Sequence, residues 1–284
     1  MKKENSSNFF NKKRFLIPIL VATLFTFFMV QLSLFSLNNE DLKLPLPNGG
    51  GISSIVTNMS LFVSIAIVAI ALISLSEKLK KEYAPNFFIT IYLVVGTIFI
   101  LLFGKQFFNV PANSLPLIYI IFAGLAYLGF YSIYLIITGI LPTGLKNFIF
   151  ITYSSIIGMY LGISLPTNSV IAVTLALSFV DIFWVYHRLR IREVNDPMEQ
   201  FMVVITYPKR RWGIGLGDLT CFAMLITCSF INFGVVNSIF SIILILLGSH
   251  YSMKGAEKYA YFPGLPISTG LGAIPILLNS IILV

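Results

Sequence analysis

Residues 168–233 read NSVIAVTLALSFVDIFWVYHRLRIREVNDPMEQFMVVITYPKRRWGIGLGDLTCFAMLITCSFINF. Two apolar runs, 168–187 and 213–233, flank a basic loop, and each run holds one aspartate, Asp181 or Asp218. A membrane-spanning helix takes about 20 mostly apolar residues. Both runs meet that length, so this stretch predicts two antiparallel spans joined by a loop on one side of a bilayer.

The rest of the chain agrees. Apolar residues make up 57% and charged residues 11%, with mean hydropathy +0.90; a soluble domain carries roughly 25% charge. Nine apolar runs are long enough to be spans: 15–37, 52–75, 87–104, 115–137, 147–163, 168–187, 213–233, 235–251 and 262–284. Phe233-Gly234 marks the turn between the seventh and eighth, and a continuous helix there would make the count eight. The run 15–37 follows Lys12, Lys13 and Arg14 like a signal peptide, but it is too long for one and lacks an A-x-A site. It reads as a retained first span. The expected fold class is an all-α, multi-pass protein of the cell membrane, one polytopic unit over 1–284.

The formal net charge of +8 follows the positive-inside rule, so nucleic acid is excluded as the partner and the bilayer takes its place. With the N-terminus cytoplasmic, every basic residue except Lys43 and Lys105 falls in a cytoplasmic segment. Cys221 and Cys228 stand one heptad apart, ~10 Å along a helix and too far for a disulfide. His187 and His250 lie far apart without a cysteine nearby, so no metal and no cofactor are implied.

The cytoplasmic loop, about 188–212, is polar at both ends. Its centre, Phe201–Thr206, is β-branched and apolar, which predicts a short strand. Pro197 and Pro208 bracket it.

Of eleven acidic residues only Asp181 and Asp218 lie inside spans. Each costs about 2.5–3.5 kcal/mol to insert, which points to use. Asp181 is six residues before the end of its run and Asp218 about six into its own, so both sit ~9 Å below the same surface. No basic residue shares that depth. Two close carboxyls in a low-dielectric site share one proton. The charged one then takes a proton from water while the neutral one hydrogen-bonds the attacked carbonyl. Gly213, Gly215 and Gly217 remove bulk on the approach to Asp218 and let a substrate backbone come close.

These residues resemble the GxGD intramembrane aspartyl proteases, presenilin and signal peptide peptidase. Asp181-Ile182-Phe183-Trp184-Val185-Tyr186 is similar to the first aspartate motif, and Gly215-Leu216-Gly217-Asp218 matches the second. Pro263-Gly264-Leu265 resembles P-A-L. Two positions depart: Val180 stands where the family has tyrosine, and Gly264 replaces alanine. The resemblance covers about 168–270 and the nine-span count. It implies a presenilin-like fold in which spans one to five, about 15–163, scaffold the catalytic spans six to nine, about 168–284. It further implies catalysis by Asp181 and Asp218, and substrate contact at Gly215, Leu216, Gly217, Pro263, Gly264 and Leu265. The substrates implied are transmembrane-segment peptides. A helical substrate must unwind before its peptide bonds are reachable, and Met202, Val203, Val204 and Ile205 are the strand expected to pair with it.

Two other readings stand beside this one. A prepilin-type peptidase also carries a G-x-G-D aspartate but leaves Pro263–Leu265 unexplained. An ion- or proton-coupled transporter would use intramembrane acids and Gly/Pro-interrupted helices, though the two halves of the chain show no repeat and the acids lie toward one side.

Overall fold

A computed structural model describes residues 4–36, 84–108, 115–191, 202–206, 211–258 and 262–282. Among the described residues there are seven α-helices and one two-stranded sheet. In chain order these are α1 (Glu4–Ser36), α2 (Ala84–Phe108), α3 (Leu115–Ile137), α4 (Thr143–Ser164), α5 (Thr167–Ile191), β1 (Met202–Thr206), β2 (Arg211–Gly215), α6 (Leu216–Lys258) and α7 (Leu265–Ile282).

Among the described residues, three stretches are long and apolar enough to cross a membrane: Leu16–Ser33, Thr143–Ser164 and Leu216–Ala256. Shorter apolar stretches lie at Ile89–Leu101, Ala126–Ile136, Thr167–Phe183 and Leu265–Ser280. The nine-span count is not reached among the described residues. The expected second span, 52–75, lies outside them.

The expected seventh and eighth spans are two limbs of α6. Gly234 breaks the helix with φ +84° and ψ 178°, a conformation that L side chains rarely adopt. The turn therefore falls on a residue that tolerates it. Ser241 donates to Ser229 across the turn at 3.3 Å, so the limbs run back antiparallel. The expected start of this region at 213 is corrected to 216. Residues 211–215 are not helical because they pair antiparallel with β1, from Met202 opposite Gly215 to Thr206 opposite Arg211. Glycines at alternating positions leave that segment free to extend, and the strand partner decides it.

The first limb of α6 is the centre of the bundle. Residues 221–230 are buried without interruption, as a helix surrounded on all sides must be. It packs against α1, α4, α7 and its own second limb. Phe150, Leu219, Leu225 and Ile226 are wholly enclosed there, and the free thiols Cys221 and Cys228 are buried in the same limb. On α4, Gly158 and Gly162 let the two backbones touch. A Cβ at Gly158 would stand 2.3 Å from the Thr220 carbonyl oxygen, and one at Gly162 2.6 Å from that of Met224. Small residues four apart are the usual means of close helix approach in lipid.

Large apolar side chains cover the outside, among them Phe28, Leu128, Phe179 and Phe240. Hydroxyls crowd the inside: Ser154, Ser155, Thr227, Ser229 and Ser241 are fully buried. Many bond a carbonyl one turn back, as Thr26 does to Ala22 at 2.8 Å and Thr97 to Leu93 at 2.8 Å. An apolar exterior over a hydroxyl-rich interior suits helices packed in hydrocarbon, where burial alone supplies no attraction between them.

Candidate functional site

The site forms where α5, the start of α6 and the start of α7 meet. Asp181 lies on α5, ten residues from its end at Ile191. Asp218 lies in the first turn of α6, shallower in its helix than the sequence suggests because α6 begins at Leu216. Gly215 is the last residue of β2 and precedes the helix. Its backbone lies against the Asp218 carboxyl, which a Cβ on Gly215 would meet at 3.3 Å. An acid at the third helical position suits the positive end of the helix dipole. The local chemistry thus accounts for an acid at this position.

The residues Pro263–Leu265 lie between the two carboxyls. The Leu265 amide donates to Asp181 Oδ2 at 3.0 Å. On the other side, a Cβ placed on Gly264 would stand 3.8 Å from Asp218 Oδ2. The Gly264–Leu265 unit is therefore bonded to Asp181 and lies close to Asp218. The separation of the two carboxyl oxygens is at most roughly 10 Å, from these contacts and the span of one peptide. The charge of Asp181 acts on Asp218, and both side chains are partly buried. The structure thus brings two acids that stand 37 positions apart in sequence to the same stretch of backbone, Gly264–Leu265.

The other expected site residues divide into groups. Gly217 is exposed, and a Cβ there meets nothing within 4 Å, so space opens beside Asp218. Gly215 is tight: its Cβ would stand 3.3 Å from the Asp218 carboxyl. Pro263 and Gly264 are partly exposed. Leu216 and Leu265 are 4% and 3% exposed and belong to the main core cluster, so their side chains pack inward while the Leu265 backbone faces the acid. Met202, Val203, Val204 and Ile205 form β1, paired with the strand that leads into Asp218. The strand expected from the sequence is present, and β2 is the partner that the sequence did not reveal.

The residues that hold these parts are hydroxyls. Ser252 on the second limb of α6 and Ser268 on α7 both donate to the Gly264 carbonyl, each at 3.0 Å. Ser178, one turn before Asp181, lies 3.0 Å from Thr269, one turn after Leu265. Tyr92 on α2 holds Ser154 of α4 at 2.7 Å and Thr220 of α6 at 3.2 Å, which ties down the first turn of α6 near Asp218. The sequence motifs single out none of them. Spacing is the signal that could find Ser178, Ser268 and Thr269, each about one helical turn from a motif residue; Ser252 and Tyr92 lie on other stretches of helix and carry no such signal.

Compared with known proteins, the chain matches no family model and no curated protein.

Proposed function

We propose that the protein is an intramembrane aspartyl endopeptidase that cuts peptide bonds within transmembrane segments, with Asp181 and Asp218 as its dyad. The reading rests on one observation: two acids on different helices flank the same peptide unit, Gly264–Leu265. It includes the presenilin-like arrangement of nine spans, with the loop between α5 and α6 cytoplasmic.

The chemistry follows from the positions. Among the described residues, Asp181 accepts an amide bond of full hydrogen-bond geometry, from Leu265 at 3.0 Å, and such a bond favours a carboxylate over a neutral acid, so Asp181 takes the charged role and Asp218 the proton. The Asp181 carboxylate takes a proton as water oxygen bonds to the substrate carbonyl carbon. Asp218, holding the shared proton, hydrogen-bonds the carbonyl oxygen and passes that proton to it, which gives the tetrahedral diol; on collapse Asp218 takes a proton back from a diol hydroxyl as the carbonyl re-forms. In the collapse of the tetrahedral diol, the carbon–nitrogen bond breaks and the leaving nitrogen takes a proton from the dyad. Gly217 leaves room for the substrate backbone beside Asp218. Among the described residues the outer edge of each strand of the β1–β2 sheet has no strand partner, so an unwound substrate segment can add to it and satisfy its own backbone groups. A segment pairing along β2 is delivered to Asp218, because β2 runs straight into α6.

The test uses purified protein in detergent, a panel of single-span peptides and mass spectrometry of the products. Wild type is expected to cut within the apolar segment, and Asp181→Ala and Asp218→Ala to lose at least about a hundredfold in rate. Cleavage that survives either substitution sinks the dyad. Where no peptide is cut, binding of an aspartyl-protease transition-state analogue decides: a transporter would ignore it.

A further inference from the structure

Two helices meet at the site through two rungs set one helical turn apart. On α5 the rungs start from Ser178 and Asp181; on α7 they end at Thr269 and Leu265. The lower rung is the Leu265 amide on Asp181 Oδ2, at 3.0 Å. The upper rung is the Ser178 and Thr269 hydroxyl pair, at 3.0 Å. Both hydroxyl-bearing residues are buried, at 7% and 2% exposure, so water does not compete for the bond.

The upper rung also reaches the lower one through the backbone. Thr269 lies 2.7 Å from the Leu265 carbonyl, and Ser178 lies 2.8 Å from the Thr174 carbonyl. Two hydroxyl protons serve three contacts. Either Ser178 donates to Thr269 and Thr269 to Leu265, or Thr269 donates to Ser178 and Ser178 to Thr174. Both arrangements keep the bond between helices. Ser252 and Ser268 hold the Gly264 carbonyl independently, so the peptide between the acids is fixed from α5, α6 and α7 together.

We infer that Ser178 and Thr269 are positioning residues: their hydroxyl rung sets the register of α7 on α5 and so keeps the Leu265 amide on the Asp181 carboxylate. The inference rests on the protease reading for its effect on rate, while its geometric content stands apart from that reading. Without the rung, α7 keeps its tie to α6 through Ser252 but loses its second bond to α5, so the Leu265 amide is held on Asp181 by its own bond alone. The donor is then less firmly placed and the carboxylate loses its aim, whereas the space that admits substrate beside Gly217 is untouched. The loss therefore belongs in kcat rather than KM.

The experiment compares full-length wild type, Ser178→Ala, Thr269→Val, Thr269→Ser and the Ser178→Ala/Thr269→Val double variant in detergent. Two quantities are read: kcat and KM for a single-span peptide, and hydrogen exchange of the Leu265 amide. Thermal melting confirms that each variant is folded. Expected are a roughly tenfold fall in kcat for Ser178→Ala and Thr269→Val with KM within about twofold, and faster exchange at Leu265. Thr269→Ser keeps the hydroxyl and returns both quantities to near wild type. The double variant is no worse than the poorer single one, since each change removes the same bond. A rise in KM at constant kcat overturns the proposal, as does a Thr269→Ser variant as impaired as Thr269→Val, or unchanged exchange at Leu265. If wild type neither cuts the peptides nor binds the transition-state analogue yet the exchange pattern holds, the protease reading fails and the rung stands. If wild type cuts and the variants match it, the rung fails and the protease reading stands.

Discussion

Gly158→Ala adds one methyl group where α4 crosses the centre of the bundle. Its Cβ would stand 2.3 Å from the Thr220 carbonyl oxygen, 2.6 Å from Ala223 Cβ and 3.0 Å from the Met224 nitrogen. An ordinary carbon–oxygen contact is about 3.3–3.6 Å, so α4 and α6 must part by about 1 Å. Two of the three atoms belong to backbone, so no rotamer change relieves the contact. Overpacking of this kind costs about 1–3 kcal/mol, and a backbone clash belongs at the upper end. Alanine recovers about 1 kcal/mol of helix propensity, which leaves a net loss of about 1–2 kcal/mol. Gly270→Ala on α7 makes the same chemical change where a Cβ meets nothing within 4 Å. It should be neutral or stabilising by up to about 1 kcal/mol. The difference between the two variants isolates the packing cost. Reversible unfolding in mixed micelles, followed by the fluorescence of Trp184 and Trp212, measures it. The separation of α4 from α6 also displaces the turn that carries Asp218, so cleavage should fall with stability in Gly158→Ala alone. A Gly158→Ala protein within about 0.5 kcal/mol of wild type, or both variants shifting in the same direction, refutes the close approach of these helices.

Gly264→Ala should retain activity, because its Cβ meets Asp218 at an ordinary 3.8 Å; Gly215→Ala presses on the same carboxyl at 3.3 Å and should slow cleavage several-fold. Val204→Pro in β1 should lower peptide cleavage by about tenfold or more, since proline removes one backbone donor and disfavours a paired strand; undiminished cleavage would rule out the strand as a docking edge. Tyr92→Phe deletes the hydroxyl shared by Ser154 and Thr220, and should cost about 1–2 kcal/mol in the same unfolding assay. A reporter fused at residue 200 should report the cytoplasm, as the distribution of lysine and arginine requires.

Much of the fold is legible in the amino-acid sequence alone. Long apolar runs are forced toward helix in lipid, because no other single segment satisfies its own backbone groups; α3 matches its expected span of 115–137, and α2, α4 and α5 lie over theirs. Asp181 and Asp218 stand out because acids inside spans are costly. The strand at 202–206 is visible in its β-branched run, and Gly234 in its place between two apolar stretches. What the sequence hides depends on partners distant along the chain. Residues 211–215 read as the loose start of a helix because strand character in RWGIG appears only opposite β1. Leu216 and Leu265 look like substrate contacts because motif membership carries no direction, and only packing turns their side chains to the core. The hydroxyls are hardest of all. A serine or threonine in an apolar helix can bond its own carbonyl one turn back or reach another helix, and Ser178 and Thr269 do both.

No residue separates β2 from α6: Gly215 ends the strand and Leu216 begins the helix. The junction has no slack. A pull along the strand reaches the first turn of the helix undamped, and a single residue inserted there would turn the Asp218 carboxyl about 100° around the helix axis, away from its companion. Whatever occupies the sheet therefore has a mechanical hold on the aim of the acid. On the protease reading, cargo recognition and chemical readiness become one linkage, in which a segment that pairs poorly leaves the machine slightly out of true.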